Sequence, residues 1–478
     1  MAINKVLKVN SDSELLSYII NVTPELASDI DLPVQGESIA PIGKLIMSNQ
    51  RYKNAFINTI NVIGLTIIDR NYWDDPWENF TNGRLLNFGD SVRELAVDIA
   101  DVFDYNEYAS NPTHFLQNVV PNVYNYIHPL NYQKFYKTTT SDEQMAMAFY
   151  NEGGLFDLIE EIAQSLYEGY KYDKYIVNKY MLCRRILDGT MTSIVISNYV
   201  TLTPRERVSA MKNVSNLMTF RSPNYNPAGL RIATPFDKQI AIINTDFEAS
   251  LSTEVLATSF FMNQAEMKSR MAIIDGYANH DTNRLLEVLG SQYVAFTEGE
   301  LSQLANVVGV IIDDEWFQNH TYSLDNSVEG DNVYNGLRRT SFFNPETLKN
   351  NLWLHYWGVK STSPFKNGVV FGTVTPSITS VTVTPSEATV SSGMTLQLSA
   401  SVVTAGFANK AVTWSVVSAS GESATNKVEV SQDGLVTIPS DYTGGDGKDI
   451  TIKATSVYDT TKYNTAVISV FVPDVSSN

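Results

Sequence analysis

From Gly153 onward, apolar residues recur at Leu155, Leu158, Ile159, Ile162, Leu166, Tyr170, Tyr175, Ile176, Tyr180, Cys183 and Leu187, in steps mostly of three and four. Such spacing puts one continuous apolar stripe on an α-helix. The pattern predicts a helix over residues 153–188, interrupted or bent around Gly169 and about 50 Å long if continuous. Few globular cores hold so long a rod. The rest of the chain must therefore pack along it, and elements are expected to protrude. A shorter helix is expected just before it, because "SDEQMAMAF" offers Ser141 as N-cap with Gln144 at the reciprocal capping position.

Upstream, "IDRNYWDDPWENFTNGRLLNFGDSVRELAVDIADVFDYNEY" carries turn signals at Asn82-Gly83 and Phe88-Gly89 and alternation at Val97 and Ile99. This reads as an extended hairpin over about residues 70–106, although "SVRELAVDIADVF" also admits a helical drawing. Trp73, Trp77 and Phe80 lie in a stretch too extended to bury them locally. Either the fold curls back over them or a neighbouring subunit covers them. Downstream, "QIAIINTDFEASLSTEVLATSFFM" reads strand, turn, helix, while "AIIDGY" and "VVGVIIDDEWF" read as buried strands. The expected class is mixed α+β with long protrusions.

Composition shifts near residue 372: beyond it there is no Arg, His or Cys. Short runs with period-two apolar spacing follow, at Val381 and Val383, at Leu396, Leu398, Ala400 and Val402, at Val412, Trp414 and Val416, at Leu435, Val436 and Ile438, at Ile450, Ile452 and Ala454, and at Val467 to Val472. Turn residues separate them, which predicts an antiparallel β-sandwich. It has no disulfide, because Cys183 is the chain's one cysteine. Burying a Trp removes about 150 to 250 Å² from water, worth on the order of 4 to 6 kcal/mol at the upper bound, so Trp414 is the expected core anchor.

Candidate chemistry is sparse. His114, His128, His280, His320 and His355 form no i, i+4 metal pair. In "IIDDEWFQNH", Asp313, Asp314 and Glu315 stand a few residues from His320, but the simpler reading leaves the acids in solvent at a strand end with Trp316 and Phe317 packed inward. "TGGDGKD" at 443–449 lacks the glycine spacing and following helix of a phosphate loop and reads as a hairpin turn. Glu160 and Glu161 fall on the polar side of the long helix. Cys183 reads as a small core filler, with a reactive thiol as the alternative. No catalytic, cofactor or metal site is expected, and the chain is read as a non-enzyme. The net charge of −18 argues against wrapping nucleic acid. The start of the chain lacks an uninterrupted apolar signal segment and no run approaches the ~20 apolar residues that span a bilayer, so synthesis in a reducing cytoplasm and no membrane contact are expected.

Residues 376–473 resemble the group-two bacterial immunoglobulin-like domain, through "ITSVTVTPSEATVSSGMTLQLSASV", "AVTWSV", "VSQDGLVTI" and "DITIKATSV". In the preceding part, "AFINTINVIGLTIIDR", "VVPNVYNYIHPLNYQKFYKTT", "AIINTDFEASLSTEVLATSFFMNQAEM", "VIIDDEWF" and "NNLWLHYWGVKSTSPFKNGVVF" resemble, in order, segments of the major capsid proteins of phi-twenty-nine-like short-tailed phages. The resemblance implies a tailed-phage capsid fold of the Hong Kong ninety-seven type over residues 1–372, with peripheral and axial domains. An N-terminal arm would occupy about 1–50, an extended loop about 70–106 and the spine helix about 153–188. Trp73, Trp77 and Phe80 would be subunit-contact candidates. It implies a virion shell built from many copies of the chain, closed as an icosahedral or elongated head, with a scaffolding protein and a portal as partners. Double-stranded DNA would be enclosed without sequence-specific binding, and the immunoglobulin-like domain displayed outside. The competing functions are an adhesin or receptor-binding protein using that domain, and a glycan-cleaving enzyme needing two convergent carboxylates.

Overall fold

The computed structural model describes residues 11–33, 38–56, 75–77, 80, 83–87, 90–100, 102, 120–151, 154–249, 270–322, 332–334, 337–344, 349–419, 427–440, 442 and 449–471. The helices are α1 (Asp12–Val22), α2 (Pro24–Ala27), α3 (Ala40–Ser48), α4 (Asp142–Tyr150), α5 (Gly154–Leu187), α6 (Pro204–Met218), α7 (Thr245–Ala249), α8 (Thr282–Leu289) and α9 (Glu298–Leu304). The strands before residue 373 are β1 (Leu85–Leu86), β2 (Val92–Val97), β3 (Val123–His128), β4 (Tyr132–Ser141), β5 (Thr192–Val195), β6 (Gln239–Asn244), β7 (Met271–Ile274), β8 (Val307–Asp313), β9 (Phe317–Tyr322), β10 (Asn332–Tyr334), β11 (Leu337–Asn344), β12 (Lys349–Thr362) and β13 (Gly368–Gly372). The chain divides into two units, the first holding residues 1–179, 281–294 and 317–363, the second 180–280, 295–316 and 364–478.

In the first unit, α1 starts where the Ser11 side chain accepts from the Glu14 N–H, with Asp12 and Glu14 in the first turn, where the helix dipole favours negative charge. Leu15, Leu16, Ile19 and Ile20 then fall on one face, and all four are buried with Leu26, Ile46, Phe56, Phe149 and Leu155. In the region of the expected N-terminal arm, the described residues 12–33 and 38–56 form a packed helical cluster, because that i, i+1, i+4, i+5 spacing buries a helix face. The capping box at Ser141 and Gln144 forms as read and opens α4. Helix α5 runs 34 residues without a break at Gly169. Its stretch Asp173–Tyr180 is buried on every side, so its polar members need partners inside the protein.

Strand β12 organises the sheet of this unit. Along Lys349–Gly358 it pairs antiparallel with β4, along Lys349–His355 with β11, and along Gly358–Thr362 with β9. The short β1 adds in parallel to β9. Strands β2 and β3 stand apart as a two-stranded antiparallel ribbon, running from Val92 opposite His128 to Val97 opposite Val123.

The second unit holds a five-stranded sheet, ordered β5-β13-β8-β6-β7. Every residue of β8 and β13 is buried, as the unbroken apolar runs demand. Helix α6 lays Val208, Met211, Val214 and Met218 against this sheet beside Ile243, Val308, Ile311 and Phe371. The expected turn after β6 does not occur, since α7 begins at the next residue.

The sandwich follows Gly372. Its strands are β14 (Ser377–Thr384), β15 (Glu387–Ser391), β16 (Thr395–Gln397), β17 (Ser399–Ala405), β18 (Val412–Ala419), β19 (Glu429–Val430), β20 (Leu435–Thr437), β21 (Asp449–Ser456) and β22 (Tyr463–Phe471). One sheet runs β15-β22-β21-β18; β14 pairs with β17, and β16 with β20. The run from Leu396 to Val402, expected as one strand, is thus two strands in different sheets. They part at Leu398, whose N–H donates to the Gly434 carbonyl at 2.9 Å. The sandwich docks within this unit through close backbone approach. Gly189 has φ +66°, and a Cβ there would lie 2.3 Å from the Ala408 carbonyl oxygen, while the Gln303 side chain donates to the Thr404 carbonyl.

Candidate assembly surfaces

The ribbon is the most conspicuous surface. Period-two alternation puts Leu95, Val97, Val123 and Ile127 on one of its faces, each between 51 and 63% exposed. Arg93 and Asn125 share this face, and an exposed apolar cluster with polar neighbours is the kind of patch that marks a contact surface. This ribbon meets the expected extended hairpin of about residues 70–106 through one of its arms. Among the described residues of 70–106, Val92–Val97 supplies one ribbon arm, and the other arm comes from Val123–His128. Of the turn signals, Asn82, Phe88 and Gly89 lie outside the described residues. Leu85–Leu86 joins the edge of the main sheet, and the Arg84 N–H donates to His320 Nδ1 at 3.0 Å.

Of the three aromatic contact candidates, Trp73 lies outside the described residues. Trp77 is fully buried inside its own subunit, meeting the Phe317 ring edge-on at 5.4 Å and the Tyr175 ring at 6.2 Å. The Asp75 carboxylate accepts from the Trp77 backbone N–H at 2.9 Å and holds the turn. For Trp77, then, the fold itself supplies the cover, and the subunit-contact expectation is corrected. Phe80 is half-buried, its N–H donating to the Trp77 carbonyl. Trp77→Ala is expected to cost the subunit about 3 to 5 kcal/mol, read as a lower denaturation midpoint of the unassembled chain.

At the root of the ribbon sits a compact polar network. His128 is buried; its Nε2 lies 3.2 Å from Glu94 Oε2 and its Nδ1 2.8 Å from Ser361 Oγ, and Ser363 Oγ donates to Glu94 Oε1 at 2.6 Å. Just beyond, the Asn131 side chain grips the backbone of Lys360, donating to its carbonyl at 2.7 Å and accepting from its N–H at 2.9 Å.

Behind β12 lies a buried charged cluster. Asp173 receives both the Nε and a terminal N–H of Arg284, at 2.7 and 2.9 Å. Burial nonetheless raises the Asp173 carboxyl, against the pull of Arg284. Lys360 stands over the Tyr132 and Tyr356 rings at 5.4 and 5.5 Å, and its Nζ has no hydrogen-bond partner among the described residues. Burial lowers its pKa to about 7, with Lys174 adding repulsion and Asp75 and Asp173 opposing. Burial chiefly lowers the pKa of His320 as well, with His128 and Arg84 adding to the effect.

The acidic run at the end of β8 corrects one expectation. Trp316 and Phe317 are buried as read, but so is Asp313, which accepts from Thr234 Oγ1 at 2.9 Å and from the Glu315 N–H at 3.1 Å. It closes a loop instead of facing solvent. Lys366 pairs with Glu315. Cys183 is buried with its Sγ 3.4 Å from the Tyr277 carbonyl. Trp414 sits in the sandwich core with Val381, Leu398, Val436, Ile452 and Ile468. Among the described residues, no group of three or more His, Cys, Asp or Glu is placed to hold a metal ion, and no helix is long and apolar enough to cross a membrane. The side chains of Glu160 and Glu161, the turn at 443–448 and the helix expected after residue 249 lie outside the described residues.

Comparison with known proteins gives these parts a setting. The family described as Phi29-like phage major capsid protein matches residues 20–372, and the group-two bacterial Ig-like domain matches residues 377–464. The major capsid protein of Bacillus phage PZA is 26% identical over 427 residues, covering 88% of this chain and 84% of the relative. That of Bacillus phage B103 is 26% identical over 433 residues, with the same coverage. Among solved structures, the capsid of Staphylococcus phage Andhra aligns with 64% of this chain and 86% of its own, at 13% identity and a TM-score of 0.45. With a family match spanning both units and a second one on the sandwich, the chain belongs to the Phi29-like phage major capsid proteins, the subunits of a multi-copy phage shell, and carries a group-two Ig-like domain at its C-terminal end.

Proposed function

We propose that the β2–β3 ribbon lies across a neighbouring copy of this chain and is a principal contact that closes the shell, while the Ig-like domain faces outward. The exposed apolar face formed by Leu95, Val97, Val123 and Ile127 carries this reading. Covering it removes apolar surface from water, the main driving force of association. The outward reading of the sandwich is supported by the polar face of its larger sheet, where Thr413, Ser415, Thr451, Thr455 and Thr465 alternate with buried residues. Lys453 covers the Tyr463 ring there at 3.9 Å. The finished particle then brings to the outside a domain that folds without a disulfide, consistent with synthesis in the host cytoplasm. A scaffolding protein and a portal complete the partners. The enclosed double-stranded DNA meets an acidic subunit of net charge −18, which disfavours adhesion within the roughly 8 Å Debye length. No bond-making step is assigned to the chain.

Co-expression with the scaffolding protein, followed by size exclusion and negative-stain microscopy, tests the ribbon. The unaltered chain is expected to give shells. A Leu95→Ser/Ile127→Ser variant is expected to give folded subunits with an unchanged melting midpoint, because both side chains are largely solvated in the free chain. Its shell yield is expected to fall on the order of tenfold. Normal shells from that variant, or a clean monomer from the unaltered chain with scaffold present, would sink the reading.

A further inference from the structure

We infer that Glu94, His128, Ser361 and Ser363 form a latch that fixes the angle at which the ribbon leaves the sheet, and that this angle sets the curvature of the assembled shell. The second half rests on the proposed contact of the ribbon with a neighbouring copy. A two-stranded ribbon has little stability of its own, so its direction is decided at its root. There the structure places one side chain from each arm, Glu94 from β2 and His128 from β3, diagonal neighbours on one face. Both are tied to the end of β12 by partners more than 230 residues away in sequence.

The bonds form a directed chain. With Glu94 ionised, His128 Nε2–H donates to one carboxylate oxygen and Ser363 O–H to the other; His128 Nδ1 is then the acceptor for Ser361 O–H. The Tyr126 ring meets the His128 ring edge-on at 4.8 Å and closes the same face. Asn131 fixes the returning chain to Lys360, next to Ser361, with two further bonds. His128 and Ser363 are both buried, and bonds to a carboxylate out of water are stronger than neutral ones. Apolar packing alone would hold the ribbon to the sheet; this set of bonds also defines its direction. Leverage makes direction matter. Six residues at about 3.3 Å each give an arm of roughly 20 Å, so turning the root by about 10° moves the far end of the ribbon by roughly 3 Å, enough to shift a packed contact out of register.

The test combines hydrogen exchange on the unassembled chain with particle sizing after co-assembly with scaffold, using Glu94→Ala, Ser363→Ala and the near-isosteric Glu94→Gln. In Glu94→Ala, amides of residues 92–97 and 123–128 are expected to exchange on the order of tenfold faster, with β4 and β12 amides unchanged. The particles are expected to spread in diameter. Ser363→Ala, which removes one small hydroxyl and guards against misfolding of the first variant, shifts both readouts the same way by less. Glu94→Gln keeps both contacts, with the His128 tautomer reversed to accept from the new amide, and restores the size distribution. Unchanged ribbon exchange in Glu94→Ala and Ser363→Ala overturns the latch. Faster exchange with particles of unaltered size overturns the link to curvature. Failure of the unaltered chain to form shells overturns the ribbon contact instead, and the exchange result still decides the latch.

Discussion

Replacing Lys360 by methionine is expected to raise the melting temperature of the subunit at neutral pH and to flatten its pH dependence between about 7 and 10. Burial lowers the folded pKa of Lys360 to about 7, whereas an unfolded lysine titrates near about 10.4. Between those values the unfolded chain keeps a proton that the folded chain has released. Stability therefore rises with pH through that window, and the penalty is complete below it, where a charged ammonium is buried. At about 1.4 kcal/mol per pKa unit, the penalty is on the order of 5 kcal/mol. Methionine keeps an unbranched stem over Tyr132 and Tyr356 and removes the charge. The nearby acids keep other partners when Lys360 is replaced: Asp173 is paired bidentately with Arg284, and Asp75 accepts from the Trp77 backbone. The neutral replacement is therefore expected to stabilise, as replacing buried charges by apolar groups commonly does. Melting curves of both proteins from about pH 6 to about 10 check this. A wild-type curve with no upward slope above about pH 7, or a variant that retains that slope, shows that the proton is not released from Lys360.

Burial at Lys360 can be read from the sequence in part. Along "LHYWGVKST" the period of two places Lys360 on the face of Leu354 and Tyr356, both buried. What the pattern does not carry is the depth of the site, which is created by α5 and by Asp75, brought in from far along the chain. The same division runs through the molecule. Features written in local spacing are legible: the 34-residue helix, the Ser141 capping box, and alternating apolar positions in β14 and β21. Features made by distant pairing are not. Val92–Val97 admits both a strand and a helical drawing, and nothing near it names Val123–His128 as the partner in a hairpin expected within about residues 70–106. Leu15, Leu16, Ile19 and Ile20 spell an amphipathic helix, whereas an arm is implied by family resemblance alone and not by that spacing. The latch joins residues 94, 128, 361 and 363 and leaves no trace in any local pattern.

The sandwich is where one side chain is expected to matter most to a whole domain. Trp414 is 7% exposed, and its ring packs against the turn Ser431–Gly434, which is closed by the Gly434 N–H donating to the Ser431 carbonyl at 3.0 Å. That approach is possible only because position 434 has no side chain: a Cβ there would sit 3.1 Å from the ring and 2.5 Å from the Leu398 carbonyl oxygen, at φ +82°. Trp414→Ala leaves a cavity between this turn and the strands around Val436 and Ile452, at a cost of about 3 to 5 kcal/mol. A domain of this size has about 5 to 15 kcal/mol in all, and no disulfide restrains its unfolded chain. The sandwich of Trp414→Ala is therefore expected to be largely or partly unfolded at about 37 °C. Lys410, Lys453 and Lys462 then become open to trypsin, while Trp414→Phe, which keeps an aromatic ring in the core, is expected to resist cleavage. Trypsin digestion of unassembled subunits, followed by mass spectrometry, reads this directly. If the tail folds as an independent unit, the residues up to Lys410, the first trypsin site beyond Gly372, survive as one fragment and still form shells with scaffold. If the seam at Gly189 and Ala408 makes the sandwich part of the second unit's stability, protection is lost in α9 and the end of α5 as well, and shell yield falls with it. Equal trypsin resistance in Trp414→Ala and the unaltered chain would show that the core does not depend on this ring, and that its other buried members, from Ile378 to Val470, hold the sandwich without it.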